Sequence, residues 1–161
     1  MTSTELLRWI ADTPVSHAMR DIFWLWPLME NLHFLGLSVM FGALLAIDLR
    51  VIGLAPAIPM RGVMKLIPLV LMAFTVNLLT GLSFIAADPY RYFFNLSFQW
   101  KMGLIFIAGV NALWFWLGEH AKLVQLADGQ QADFPAKVIA AISLAAWVGV
   151  IIFGRLIPYL E

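Results

Sequence analysis

The stretch IFWLWPLMENLHFLGLSVMFGALLAI, residues 22–47, decides the fold of this protein. A helix needs about 20 apolar residues to cross the ~30 Å hydrocarbon core of a bilayer, and this stretch exceeds that length. It opens with Phe23, Trp24 and Trp26, and such aromatic side chains favour the interface between membrane and water. The stretch therefore predicts a transmembrane helix that closes at residues 48–50, where Asp48 and Arg50 are expected to cap and anchor its far end.

Three further stretches of the chain have the same character. The four predicted spans cover about 22–47, 62–87, 98–117 and 136–157. Pro68 is expected to kink the first turns of the second span, because proline removes a helical hydrogen bond. The spans are continuously apolar and do not alternate, which excludes a membrane β-barrel. We predict an all-α integral membrane protein, an antiparallel four-helix bundle that forms a single transmembrane domain over 1–161, with both termini on one side.

The composition of the whole chain agrees with a membrane location. Of 161 residues, 62% are hydrophobic and 12% are charged, and the mean hydropathy is +0.87. These values lie well outside those of soluble domains. The formal net charge is +0 and no run of Lys or Arg occurs, so nucleic acid is not expected as a partner. The absence of cysteine excludes disulfides and thiolate metal sites. The expected partners are the lipid bilayer and either other membrane subunits or a second copy.

The segment before the first span, residues 1–21, lacks the continuous apolar core of a cleavable signal peptide, so we expect the first span to be kept. Residues 4–11 have the pattern of an interfacial helix. Lys and Arg divide evenly between the two sides of the bundle. Discounting Lys101 and Arg155, which lie inside helix ends, favours a cytoplasmic location for the first and third loops. The expected location is the bacterial inner membrane, with several passes.

Titratable side chains within the spans are the most informative feature, because each costs roughly 2.5–3.5 kcal/mol to insert. Glu30 and His33 are three residues apart and share one helix face, with His33 near the membrane midplane. Antiparallel neighbours bring the start of the third span and the end of the fourth to the level of Glu30. We therefore predict a charge pair between Glu30 and either Arg155 or Lys101.

Other polar residues recur at helical spacing and so form stripes on the neighbouring spans. If these stripes converge on the charge pair, they line a half-open polar pocket. The predicted ligand-binding residues are Glu30, His33, Asn77, Lys101, Asn111, Trp147, Arg155 and Tyr159. The alternative is that these side chains only fix the helix register, since interhelical hydrogen bonds in membranes contribute about 0.6 kcal/mol on average.

The ligand itself is left open by the sequence. Haem b between helices normally takes two imidazoles at similar depth, whereas the three histidines here are at three different heights, at His17, His33 and His120. A haem held with a partner, a quinone, or copper remain the alternatives. His33 is the candidate metal ligand, and for copper the possible thioether partners are Met29, Met40, Met72 and Met102. No nucleotide-binding or hydrolytic motif occurs, so no catalytic residue is predicted and the chain is not expected to be an enzyme on its own.

Five short motifs of the chain resemble those of a known group of membrane proteins. They are WLWPLMENLHFLG at 24–36, DLRVIGL at 48–54, DPYRYFFN at 88–95, FQWK at 98–101 and GR at 154–155. Together they resemble an uncharacterised bacterial family of small four-helix inner-membrane proteins, a domain of unknown function. The resemblance implies the fold but no established activity. More distantly, the histidine-bearing first helix is similar to those of CopD-type copper-resistance proteins and b-type cytochrome membrane anchors, although this chain lacks their second, level histidine.

These observations together predict a non-catalytic membrane module that binds a small ligand or cofactor in a respiratory or redox setting, such as a subunit of an electron-transport complex. A structural accessory subunit without a ligand is the first alternative. A proton-coupled carrier of small solutes is the second, and an inverted repeat would favour it, yet the two halves of the chain show no convincing similarity.

Overall fold

The computed structural model describes residues 2–127 and 129–160, and within them the secondary structure is helical. Asp128 of the predicted third loop lies outside the described residues. In chain order the helices are α1 (Ser3–Ala11), α2 (Pro14–Asp21), α3 (Leu25–Ile52), α4 (Met60–Met64), α5 (Ile67–Ala87), α6 (Pro89–Phe93), α7 (Leu96–Trp114), α8 (His120–Gln125) and α9 (Phe134–Leu156). A π-helical turn, Phe115–Glu119, joins α7 to α8.

Four helical stretches are long and apolar enough to cross a membrane. They are Leu25–Ile52, Met60–Ala87, Leu96–Gln125 and Phe134–Leu156. No strand occurs in the described ranges, because the apolar residues of each stretch are contiguous and a helix satisfies their backbone groups internally. The predicted fold class, an all-α membrane helical bundle of several passes, is confirmed.

The bundle is closed on three sides. Helix α3 packs against α5 and α9, and α9 packs against α7. The fourth side of an antiparallel bundle would be a close approach of α5 to α7, and the described residues show no substantial backbone contact between these two helices. Side chains cross the interior instead, since Phe74 of α5 and Trp147 of α9 meet edge to face with ring centroids 6.3 Å apart. The interior of the bundle is therefore least covered between α5 and α7.

One end of the bundle, here called the terminal end, holds the beginning of α7 and the end of α9. Asn95 caps α7 by accepting from the Phe98 amide, and its own amide donates to the Ile157 and Leu160 carbonyls. Helix α1 also lies at this end, where it packs against α5 and α6 with Leu7 buried and Trp9 exposed. The end that carries α4 and α8 is here called the opposite end.

The opposite end is sealed by an apolar core. It consists of Ile47, Val51, Met60, Val63, Met64, Leu123, Ala132, Ala136 and Ala140. These residues come from α3, α4, α8, the third loop and α9, so the loops of this end are packed onto the helices. Burial of this apolar area stabilises the end of the bundle independently of the surrounding lipid.

One local expectation at this end is wrong. Asp48 and Arg50 do not end α3, because the helix continues to Ile52 and is terminated by Gly53 in the left-handed conformation, at φ 102°. Arg50 is only 1% exposed and donates to the carbonyls of Ile58 and Gln130, so its charge is used to hold the first and third loops. Asp48 is also buried.

The second span is broken in its first turns, between α4 and α5, as predicted from Pro68. Pro68 itself occupies the first turn of α5. The first amides of a helix have no intrahelical partner, so a proline there costs no hydrogen bond.

Candidate functional site

The best-defined polar contact inside the bundle joins His33 of α3 to Thr80 of α5. The His33 Nδ1 atom lies 2.7 Å from Thr80 Oγ1, and the two residues are half-buried and buried. The Thr80 hydroxyl has carbonyl acceptors of its own helix at 2.8 and 3.2 Å, those of Val76 and Asn77. Because its single proton serves one of these carbonyls, the hydroxyl oxygen accepts from His33 Nδ1–H.

This pairing assigns the tautomer of His33. With the proton on Nδ1, the Nε2 atom carries a free lone pair, and none of the described groups donates a hydrogen bond to it. The imidazole ring packs edge to face against Phe84, with centroids 5.6 Å apart, and Phe84 also contacts Trp26. His33 is therefore held rigidly, with one nitrogen occupied and the other available to a ligand.

Lys101 of α7 is the second polar group of this region. Its aliphatic chain crosses Gly154 of α9, where a Cβ atom added to the glycine would lie 3.5 Å from Nζ and 3.6 Å from Cε. The ammonium is close enough to His33 to interact with it electrostatically. Among residues 2–127 and 129–160, no carboxylate, hydroxyl or carbonyl lies within bonding distance of Nζ. The sequence prediction missed Thr80, Phe84 and Gly154, which become neighbours of the site only through helix packing.

The predicted charge pair of Glu30 does not form. Glu30 is exposed and accepts a hydrogen bond of 3.0 Å from Trp26 Nε1, one turn earlier on the same helix. The described residues contain no ion pair between Glu30 and either Lys101 or Arg155. A local partner on the same helix is reached without bringing two helices into register, which explains why it is preferred.

The remaining predicted site residues at the terminal end are also placed outside the interior. Arg155 is exposed, and its guanidinium lies 5.7 Å from the ring centroid of Tyr159. Tyr159 is exposed as well. Such a cation–π contact at a helix end anchors the side chains near the interface. Arg155 and Tyr159 are thus separate from the His33 and Lys101 pair.

The two asparagines bond to the backbone. Asn77 donates to the Ala73 carbonyl of its own helix at 3.1 Å, and Asn111 donates to the Ile139 carbonyl of α9 at 3.0 Å. The Oδ1 atom of each is buried without a partner among the described groups. Asn77 lies beside His33, whereas Asn111 lies toward the opposite end of the bundle. Trp147 faces the interior through its contact with Phe74.

The other histidines of the chain lie away from His33. Within the described part of the chain, no three His, Cys, Asp or Glu side chains come together. His17 is exposed on α2, and His120 stacks on Trp116 at the opposite end, with centroids 4.5 Å apart. Of the possible thioether partners, Met40 is buried, while Met72 and Met102 are exposed.

A separate cleft of about 500 Å³ opens at the terminal end. It is lined by Asp88, Tyr90, Arg91, Phe94 and Asn95. Tyr92 is half-buried next to it, and burial raises the pKa of its phenol, with the negative charges of Asp88 and Glu30 adding to the effect and Arg91 opposing it. The carboxylates of Asp88 and Glu30 therefore lie on the same side of the protein.

The fold and the site define a small helical membrane protein of several passes with a histidine and a lysine inside its bundle. No protein-family model, curated protein or solved structure matches the chain. The resemblance to a family of small four-helix inner-membrane proteins accordingly stays a prediction.

Proposed function

We propose that this protein is a membrane module that binds the head group of a quinone between His33 and Lys101. The observation that carries the proposal is the Lys101 ammonium, which lies within the bundle without an acceptor among the described groups. An unpaired ammonium in an apolar environment is costly, so an oxygen acceptor from a ligand would stabilise it.

The two side chains match both redox forms of such a ligand. An oxidised quinone presents carbonyl oxygens, which accept from the Lys101 ammonium. The reduced form presents hydroxyl groups, which can donate to the free His33 Nε2 atom. The rings of Phe84 and Trp26 beside His33 offer an aromatic surface to a flat ligand. The gap between α5 and α7 gives a lipid-soluble molecule a lateral route from the bilayer.

The other ligands considered from the sequence fit these side chains less well. The positive charge of Lys101 opposes a metal cation at His33. A haem would need a second axial ligand from a partner, since His17 and His120 lie elsewhere. A structural accessory subunit would explain the bond between His33 and Thr80, but it gives no role to the Lys101 ammonium, which has no acceptor among the described groups.

The proposal also includes the complex and the membrane in which the protein works. We infer an electron-transport or redox complex of the bacterial inner membrane, with other membrane subunits or a second copy of the chain as partners. The support comes from the surface of the bundle: many apolar side chains of α5 and α7 face outward, which suits contact with lipid or with further helices.

Binding of a short-chain ubiquinone analogue to the protein in lipid nanodiscs tests the proposal, with quenching of tryptophan fluorescence as the signal. Lys101→Met and His33→Gln should each weaken binding roughly tenfold or more, as expected for the loss of one strong hydrogen bond. Lys65→Met is the matched control, because Lys65 is exposed at the opposite end. The affinity of this variant for the quinone analogue should equal that of the wild type.

Two results would contradict the quinone assignment. One is wild-type protein that takes up no more quinone than empty nanodiscs, and the other is a Lys101→Met variant that binds like the wild type. An optical spectrum and metal analysis of the same preparation provide the comparison with haem and copper. A haem band or stoichiometric copper that disappears in His33→Gln would replace the quinone as the ligand.

A further inference from the structure

A second polar group of interest is Asp48 of α3, which lies toward the opposite end and faces α9. Asp48 is 6% exposed, and Ser143 of α9, which is 8% exposed, interacts with its carboxyl group. The Oδ2 atom of Asp48 is buried and has no hydrogen-bond partner among the described residues. Buried polar atoms are almost always bonded in folded proteins, so this unpartnered carboxyl oxygen requires a physical explanation.

The positive charges around Asp48 are engaged elsewhere. Arg50 donates to two loop carbonyls, and Lys122 pairs with Glu119 at 2.8 Å. Three other basic groups on the neighbouring elements also have partners: Arg61 donates to the Val124 carbonyl, Lys137 donates to Gln131, and His120 stacks on Trp116. Lys65 is exposed. The remaining basic groups lie at the terminal end and are His33, Lys101 and Arg155. In the described ranges no cation pairs with Asp48, and a carboxylate buried without one is strongly disfavoured.

The ligand that fits this site is a proton and not a metal ion. Hard metal ions take about six or more oxygen ligands, whereas Ser143 is the one side chain found to interact with the Asp48 carboxyl group among the described residues. Within the same ranges, Asp48 is not part of any group of three acidic or histidine side chains that could hold a metal ion. A proton needs one oxygen atom, and it removes the charge that burial disfavours.

We propose that Asp48 is a proton-binding site between α3 and α9, whose loaded form lets the two helices pack. In the loaded form the carboxyl group of Asp48 is a neutral carboxylic acid, and on release the proton leaves to water and a carboxylate remains. One oxygen of this carboxylate has no donor in the part of the chain that the structure describes, so release favours a state in which α3 and α9 separate and water reaches the site. This site is independent of the proposed quinone site, because His33 lies about 22 Å away along α3.

Infrared spectroscopy of the protein in lipid at neutral pH tests whether the proton is bound. The wild type should show the carbonyl stretch of a carboxylic acid that shifts in D₂O, and Asp48→Asn should lack this band. Asp133→Asn is the control, since Asp133 is an exposed carboxylate near the same end, and it should keep the band. A wild type without the band, or a band that sodium abolishes, would overturn the proposal.

A second experiment tests the coupling to helix packing. The chain contains no cysteine, so Ala140→Cys on the buried face of α9 introduces a single thiol probe. Labelling of this thiol by a maleimide should accelerate more steeply with pH in the wild-type background than in Asp48→Asn, which mimics the neutral, loaded form. Identical pH profiles in the two backgrounds would overturn the proposal, and circular dichroism of both proteins verifies that the bundle is folded.

Discussion

The side-chain amide of Asn95 donates to the Ile157 carbonyl at 3.0 Å and so ties the start of α7 to the end of α9. The same nitrogen donates to the Leu160 carbonyl at 2.9 Å, while Oδ1 caps α7 through the Phe98 amide. One buried side chain therefore satisfies three backbone groups. This contact, together with the packing of α7 on α9, fixes how the last helix returns to the terminal end.

Asn95→Asp should separate the two roles of this side chain. Aspartate keeps the helix cap but cannot donate, so two carbonyls lose their partner and face a carboxylate. We expect the free energy of unfolding to fall by about 2–4 kcal/mol, measured by denaturation in mixed micelles. Gln125→Glu makes the same amide-to-acid change at an exposed position and should have little effect. Equal stability of the two variants would contradict the role assigned to Asn95.

Gly36 of α3 sets the distance to α5. A methyl group there would lie 3.1 Å from Asn77 Nδ2 and 3.3 Å from the Ala73 carbonyl oxygen, and a backbone atom cannot move aside easily. Gly36→Ala should therefore lower the free energy of unfolding by about 1–3 kcal/mol, as overpacking does. Gly42→Ala on the same helix has open space around it and should leave stability unchanged or slightly higher. If both variants unfold alike, close packing at Gly36 does not limit stability.

Gly154 provides a steric test of the Lys101 position. Its added methyl group would be in ordinary contact with the lysine chain, at 3.5 Å or more, so Gly154→Ala should retain quinone affinity. Gly154→Leu fills the space that the Lys101 chain occupies and should displace the ammonium. We expect an affinity loss comparable to that of Lys101→Met in the same nanodisc titration. Retention of full affinity by Gly154→Leu would place the ammonium outside the binding site.

Tyr92 makes the stability of the protein sensitive to alkaline pH. Burial raises the pKa of its phenol in the folded protein above the value of about 10 in an unfolded chain. The contribution of Tyr92 to stability is therefore full below about pH 10 and is lost as the pH rises from there through the folded pKa. Unfolding should become easier above pH 10, and Tyr92→Phe should remove part of this dependence. Ultraviolet titration of phenolate in the two proteins measures the difference, and superimposable stability profiles would contradict it.

The spans and the site differ in how far the sequence could predict them. A run of contiguous apolar residues needs no partner to specify a membrane helix, so the all-α fold class followed from local sequence. The pair of Glu30 with Lys101 or Arg155 did not form, because Trp26 offers a nearer partner on the same helix. Spacing along one helix gives the face of a side chain but not the identity of the residue it meets across the bundle.

Charged residues at helix ends show the same limit. From the sequence we expected Asp48 and Arg50 at an interface, where a charge costs little, but both are buried, Arg50 by the packed loops and Asp48 against α9. Arg50 can be buried because Ile58 and Gln130 supply carbonyl acceptors from two loops that are far apart in the chain. A local sequence pattern cannot predict a partner from a distant loop.

The sequence by itself determined that this protein is a set of four apolar helices carrying a few titratable groups, because hydrophobic length and the cost of a buried charge are properties of individual segments. Only the tertiary structure decided which groups meet. The α3–α5 interface joined His33 to Thr80, and the α7–α9 interface laid Lys101 across Gly154. The α3–α9 interface left Asp48 Oδ2 without a partner among the described residues. These contacts depend on the rotation and separation of whole helices, which are set by the sum of many packing contacts between distant segments.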